Sequence, residues 1–293
     1  MLVELDYLAG LASRGGPIEN QYAELNSVFA SINKRRKQGI ITDCDLETLW
    51  RNTSDAFYSP DTMQGFVITK PYGYAGDFEI IERIYEVWKS PKEHLVNWDN
   101  YFHAQTAPHA VRNRRHYFLS LLHELHDENT VTRVLNIASG PARGVREFLS
   151  TKNGSMFFEC VDHDKHAVAY ASSRAQQVSS HVQFHLANAF HFDSENTFDL
   201  VWSAGLFDYL DDRAFKILLK RLLRFVTAEG ELVVGNFSPN NSTRDYMEFG
   251  NWNLNHRTVH HLIDLARESG VADENISVHS EPLGVNLFLH IRK

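Results

Sequence analysis

The chain has 293 residues, 43% of them apolar and 23% charged, with a formal charge of −8 at pH 7. This length permits one large domain or two modest ones, the composition is that of an ordinary globular protein, and the negative balance argues against a general nucleic-acid binder. Cys44 and Cys160 lie far apart without metal-ligand spacing, no run approaches the roughly 20 apolar residues of a membrane span, and the N-terminus lacks a secretory leader's basic and apolar regions, so a reducing, cytoplasmic setting is expected.

Helical patterns come first. Tyr22, Leu25, Phe29 and Ile32 fall at helical spacing in a run that ends at Gly39. The basic run "NKRRKQ", residues 33–38, closes it, where cations suit the helix dipole. Leu46, Leu49, Trp50 and Phe57 mark a second helical run. Phe78, Ile81, Ile84, Tyr85 and Trp88 mark a third, which stops before Pro91. Phe118, Leu121, Leu122 and Leu125 mark a fourth.

Beyond residue 130 the pattern changes. Strands are expected at 133–138, 156–161, 182–186, 198–203, 231–236, 276–281 and 285–292, with helices at 143–149, 165–177, 212–225 and 255–269. Such alternation builds a mainly parallel sheet covered by helices on both faces. The last two strands are separated only by a short break at 282–284, too short for a parallel crossover, so they form an antiparallel hairpin. The expected organisation is a helical region at 1–128 and an α/β domain at 129–293.

Ligands of such sheets bind beyond the carboxyl ends of the strands. "NIASGPARG", residues 136–144, closes the first strand, and Gly140 and Gly144 let backbone approach a ligand there. The spacing is G-x-x-x-G, not the dinucleotide G-x-G-x-x-G. In "FFECVDHD" the acidic Asp162 follows the second strand, 22 positions after Gly140, where it can accept from a ribose diol, with His163 beside it. Asn188 and Ala189, in "FHLANAF", stand where an adenine edge can be read. Ser203, Ala204 and Gly205 end the fourth strand.

As a set, these features resemble the class I S-adenosylmethionine-dependent methyltransferases over residues 131–293. The resemblance implies a seven-stranded mixed Rossmann-like sheet with a terminal antiparallel hairpin. It also implies that Asn136, Ala138, Ser139, Gly140 and Gly144 lie against the methionine part, Asp162 and His163 at the ribose, and Asn188 and Ala189 at the adenine. Two positions depart from the family pattern: Asn136 and Asn188 stand where acids are usual. With "TKPYGYAGDFEII" (69–81) and "GNFSPNNSTRDYMEFGNWNLNHRT" (235–258), the chain further resembles the bacterial methyltransferases of extracellular-factor synthesis, which methylate the carboxylate of 3-hydroxy fatty acids. That resemblance implies an N-terminal helical cap over the cofactor site and a small acidic or lipid-like acceptor. A helical cap also offers a face for a homodimer.

The candidate site residues follow. In "KPYGYAGD", Tyr72 and Tyr74 either hold their rings against a ligand, with Tyr74 bearing on turnover, or pack on the core. In "VRNRRHYF", Arg112 and Arg115 share a helical face and either fork onto a carboxylate or pair with surface acids, while Arg114 points elsewhere. The fifth-strand loop supplies candidates for the acceptor. Arg244 and Arg257 are expected to position an anion, His256 to act as a base where the acceptor needs one, and Asn236, Tyr246, Phe249 and Trp252 to line the acceptor pocket. Methyl transfer to a carboxylate needs alignment and desolvation, not a base. His256 and His260 lie one helical turn apart without the intervening Glu of H-E-x-x-H, and no metal is expected. "YLDD", residues 209–212, reads as a helix cap. Two other readings stay open: an NAD(P)-dependent oxidoreductase, and a methyltransferase-like fold kept as a non-catalytic binding module.

Overall fold

The computed structural model describes residues 3–126, 130–151 and 156–293. The boundary expected at 128/129 lies outside the described residues. The chain divides into two compact units, Met1–His109 with Asn241–Asn253, and Ala110–Asn240 with Leu254–Lys293.

The first unit is helical. It contains α1 (Val3–Ser13), α2 (Tyr22–Lys37), α3 (Asp43–Asn52), α4 (Ser54–Phe57), α5 (Met63–Thr69), α6 (Phe78–Glu86) and α7 (Val96–Ala104). It also holds the first residues of α8 (Thr106–Leu125), whose remainder belongs to the second unit. Caps set several of these starts. The Thr42 side chain accepts from the Asp45 N–H at the head of α3, and Asp77 accepts from the N–H groups of Glu79 and Ile80 at the head of α6.

The second unit is the α/β sheet. Its strands are β1 (Thr132–Ile137), β2 (Met156–Asp162), β3 (Val182–Leu186), β4 (Phe198–Ala204), β5 (Val226–Phe237), β6 (Ile276–Ser280) and β7 (Asn286–Arg292). They lie in the order β3-β2-β1-β4-β5-β7-β6, parallel except where β7 runs antiparallel to β5 and β6. The helices α9 (Arg143–Thr151), α10 (Lys165–Arg174), α11 (Asp212–Leu223) and α13 (Val259–Glu268) accompany it, while α12 (Arg244–Phe249) belongs to the first unit.

Both faces of the sheet are buried, which is why its central strands read as apolar runs rather than alternating ones. Leu135, Ile137, Val201 and Leu232 join the core with Phe207, Phe215 and Leu218 on one face. Val134, Cys160, Trp202 and Phe288 join Phe118, Leu122 and Phe148 on the other. β5 begins at Val226, five positions before the expected 231, because it re-enters register with β4 after an irregularity between Phe198 and Leu200. α13 starts at Val259 instead of 255, because the Thr258 side chain caps it by accepting from the His261 N–H.

Candidate active site

β1 and β4 are neighbours whose connections leave the sheet in opposite directions, so their carboxyl ends form its topological switch point. The loop after β1 is held in an unusual backbone. Ala138, Gly140 and Ala142 have φ of 53°, 52° and 48°, in the left-handed region. For each alanine this costs on the order of 1–2 kcal/mol, so the surroundings must impose it. The Ser139 N–H donates to Val161 O at 3.1 Å, the Ala142 N–H to Ser139 O at 2.9 Å, and the Gly140 N–H to Asp162 Oδ2 at 2.8 Å. A Cβ placed on Gly140 meets nothing within 4 Å, so glycine there serves φ and leaves the approach open. Gly144 differs. A Cβ there falls 2.9 Å from Phe118 Cδ1, so this glycine serves the packing of α9 on α8, not ligand clearance as expected.

Asp162 is buried at the end of β2 and accepts from two amides, that of Gly140 through Oδ2 and that of Asp164 through Oδ1 at 2.9 Å. Burial pushes its carboxyl up, against the pull of these two bonds. A carboxylate has about four lone-pair sites, so capacity remains for a ribose diol. The exposed His163 ring places Nδ1 3.6 Å from Asp162 Oδ1. The main-chain oxygen of Asp162 accepts from the Ala187 N–H at 2.9 Å and fixes the next loop beside it. There Asn188 is exposed and its Oδ1 accepts from the Phe190 N–H at 2.8 Å, which leaves its amide NH2 as the donating group. Ala189 beside it is half-buried. Asn136 is buried in register with Cys160 and Trp202, on the sheet face that carries both.

At the end of β4, Ser203 is fully buried with no hydrogen-bond partner for its Oγ among the described residues, on the strand face that carries Val201, while Ala204 lies on the opposite face with Trp202. Gly205, φ 107°, is approached by a side chain the sequence pattern set aside. A Cβ on Gly205 would lie 3.1 Å from an Arg114 guanidinium nitrogen. Arg114 is only 7% exposed. Near it in charge is Asp208, 1% exposed, whose Oδ1 accepts from the Phe237 N–H at 2.5 Å. Burial pushes the Asp208 carboxyl up to about 6, opposed by the Phe237 amide and by the charges of Arg114 and Arg257. Sequence reasoning missed both residues. The signal for Arg114 was present: Tyr117 and Phe118 follow it by three and four positions, so it shares their apolar face. Asp208 carried no comparable signal.

Arg112 is half-buried, and burial pulls its pKa below the usual arginine range. Arg115 points to α9, donating to Glu147 Oε1 at 2.8 Å. Arg257 was expected to position an acceptor, but it is buried and fully engaged. Its guanidinium donates to Asp212 Oδ1, Phe207 O, Leu210 O and Asn236 Oδ1, and it lies 4.8 Å over the Phe215 ring. Asn236 completes this lock, donating to Phe237 O and Asn255 O at 2.9 Å each. Both therefore fasten β5 to the loops around it. His256 is half-buried with Nδ1 3.1 Å from Leu254 O.

The remaining candidates lie in the first unit. Tyr246 was expected to wall a channel, yet it is a core residue there. Its ring lies 4.8 Å from Phe29 and 5.0 Å from Tyr101, and its hydroxyl donates to Gln64 Oε1 at 2.6 Å. Phe249 is buried against Phe29, and Trp252 is buried too. The segment Asn241–Asn253 thus folds into the helical core, because its aromatics find their apolar partners there. Arg244 pairs with Glu248 at 2.6 Å one turn along α12. The Tyr72 hydroxyl donates to Glu79 Oε2 at 2.9 Å, and its ring packs 4.7 Å from Phe78. Tyr74 is half-buried in the same loop.

Among the described residues no group of three or more His, Cys, Asp or Glu side chains is arranged to hold a metal, and no helix is long and apolar enough to cross a membrane. The residues of the switch point do suit a nucleoside-bearing sulfonium cofactor: an open glycine backbone, a buried carboxylate with spare acceptor capacity, and an amide donor at the third strand.

Residues 134–230 match the sequence model of a family described as "Methyltransferase domain". No curated protein matches the chain. Among the solved structures that share the fold are the following three. One is a possible exported protein from Bordetella parapertussis, 18% identical, covering 74% of this chain and 79% of that one at TM-score 0.59. Another is magnesium protoporphyrin IX methyltransferase from Synechocystis with S-adenosylhomocysteine bound, 10% identical, covering 78% and 96% at TM-score 0.53. The third is the pyocyanin biosynthetic protein PhzM, 12% identical, covering 85% and 72% at TM-score 0.51. At these identities the structures establish the fold. The match to the methyltransferase-domain model lies at residues 134–230, within the α/β unit that has this fold.

Proposed function

We propose that this protein transfers a methyl group from S-adenosylmethionine to the carboxylate of a small, lipid-like acid such as a 3-hydroxy fatty acid. The observation that carries the cofactor assignment is the left-handed Ala138–Gly140–Ala142 loop fastened to Asp162 at the switch point. Gly140 offers backbone to the amino-acid portion, Asp162 accepts from the ribose hydroxyls, and the Asn188 amide donates to the adenine. When bound, the cofactor supplies an electrophilic methyl on sulfur. The chain's own work is to align the acceptor oxygen behind that methyl and to exclude water from it. A carboxylate is already ionised at neutral pH, so no proton need be removed. The acid acceptor is supported by the motif resemblance and by buried arginine at the switch point. The charge of −8 supports a small molecule over nucleic acid.

The direct test incubates the purified protein with methyl-labelled S-adenosylmethionine and 3-hydroxy acids of eight to sixteen carbons. Label extracted as a methyl ester is the expected result. If S-adenosylhomocysteine binds but no acid is methylated, the acceptor assignment falls. If S-adenosylhomocysteine does not bind, the cofactor assignment falls with it.

A further inference from the structure

Arg114 is a buried cation that no carboxylate among the described residues bonds directly, although the Asp208 carboxylate feels its charge. It is 7% exposed, and among the described residues it makes no hydrogen bond and no ion pair. Arginine at this depth is normally paired, because removing a lone charge from water is costly. Arg257, buried to a similar degree in the same unit, shows the usual solution, with hydrogen bonds on every guanidinium nitrogen. Asp208 does not serve Arg114 in that way. Its carboxylate feels the arginine's charge but bonds the Phe237 amide.

Position says where the missing anion would come from. One turn along α8, Phe118 stacks on Trp202 at 4.8 Å and Tyr117 on Phe288 at 4.0 Å. These contacts fix α8 over β4 and β7. Moving back one turn carries the side chain past the end of β4, where Arg114 lies against Gly205. Glycine is required at that point twice over: φ is 107°, and a Cβ would crowd the guanidinium at 3.1 Å. The guanidinium is thus brought to the carboxyl edge of the sheet at the switch point, where ligands of this architecture bind.

We propose that Arg114 is the carboxylate-binding residue of this site, its planar fork receiving the carboxylate of an incoming ligand. This rests on the methyltransferase reading, which offers two sources of that group: the amino-acid end of the cofactor and the acid acceptor. A guanidinium fork pairs with either through two parallel N–H···O bonds, a geometry lysine cannot reproduce.

The test measures binding by calorimetry for two pairs of probes that differ in the carboxylate. One pair is S-adenosylhomocysteine and its decarboxylated thioether. The other is 3-hydroxydecanoate and decane-1,3-diol. In Arg114→Met, the carboxylate-bearing member of one pair should bind about 10- to 100-fold more weakly, with its partner changed by less than about twofold. Loss confined to the first pair assigns Arg114 to the cofactor, and loss confined to the second assigns it to the acceptor. Arg114→Lys keeps the charge without the fork and should show an intermediate loss; it carries the test if the methionine variant does not fold. Equal effects on both members of each pair, no effect on either, or failure of the wild-type protein to bind any of the four probes overturns the proposal. Failure to bind the first pair alone overturns the cofactor assignment, while the second pair still decides the role of Arg114.

Discussion

The Asp162 carboxylate takes the Gly140 N–H at 2.8 Å across 22 positions of sequence, tying the end of β2 to the loop that ends β1. With its other oxygen on the Asp164 N–H, this one side chain sets the shape of two neighbouring loops. Asp162→Asn keeps the size but has one carbonyl oxygen for two amides, and it turns an NH2 toward one of them. The expected cost is about 1–3 kcal/mol in urea unfolding, the penalty for one unsatisfied buried donor. Affinity for S-adenosylhomocysteine should fall at least about tenfold, because a ribose diol loses a charged acceptor. A variant that is destabilised yet binds S-adenosylhomocysteine normally would reduce Asp162 to a loop fastener.

The two glycines of "NIASGPARG" separate in the same assay. At Gly140 an added Cβ has open space, so Gly140→Ala bears only the φ cost, partly offset by a stiffer unfolded chain. A net loss of about 1 kcal/mol is expected, together with a marked loss of S-adenosylhomocysteine affinity where the methyl enters ligand space. Gly144→Ala drives a Cβ into Phe118 at 2.9 Å and should cost about 1–3 kcal/mol by overpacking, with affinity in the folded fraction unchanged. Circular dichroism melts alongside calorimetry distinguish the two. The reverse pattern would place the ligand against α9 instead of the loop.

The sheet was legible because buried parallel strands advertise themselves. Apart from Asn136 and Glu159, Val134–Ile137, Phe158–Val161 and Leu200–Trp202 are apolar on both faces and are punctuated by glycine and helix caps. The early start of β5 was not legible, since Thr227, Glu229 and Glu231 make that stretch look like a loop, and only pairing with β4 reveals it. The segment around Tyr246 was misassigned for a related reason. Aromatic spacing shows that a stretch will be buried, but not against what, and its partners Phe29, Gln64 and Tyr101 lie far earlier in the chain. Arg112 and Arg115 attracted attention through their helical spacing. The face of α8 was fixed instead by Phe118, whose position implicated Arg114.

Arg257 offers a prediction on stability alone. Its hydrogen bonds to Phe207 O, Leu210 O, Asn236 and Asp212 close the loops after β4 and β5 around one buried cation. Arg257→Ala strands several of these groups at once and should cost about 3–5 kcal/mol in chemical unfolding, as breaking a buried charged network does. An acceptor-binding arginine would behave differently: its loss would raise the acceptor KM and leave the unfolding midpoint within about 0.5 kcal/mol of wild type. A midpoint that does not move would therefore restore Arg257 to the substrate site.

The last prediction concerns pH. Burial holds the Asp208 carboxyl at about 6 in the folded protein, against about 3.9 for an unfolded aspartate. Because the folded value is the higher one, the folded state grips this proton more tightly. The associated stability is complete below about pH 3.9 and is lost as pH rises through 6. The difference corresponds to about 3 kcal/mol, at 1.36 kcal/mol for each unit. The charges facing Asp208 are Arg114 from α8 and Arg257 from the loop before α13, and both already lower its pKa. Asp208→Asn imitates the protonated form and can keep the Phe237 N–H bond through its carbonyl oxygen. It should exceed the wild type in stability by about 1.5 kcal/mol near pH 5 and by up to about 2–3 kcal/mol at pH 7.5, read from urea midpoints at the two pH values. Equal destabilisation at both values would mean that the ionised carboxylate is held by the two arginines as a net stabilising group, and that Arg114 finds its counter-charge in Asp208 after all.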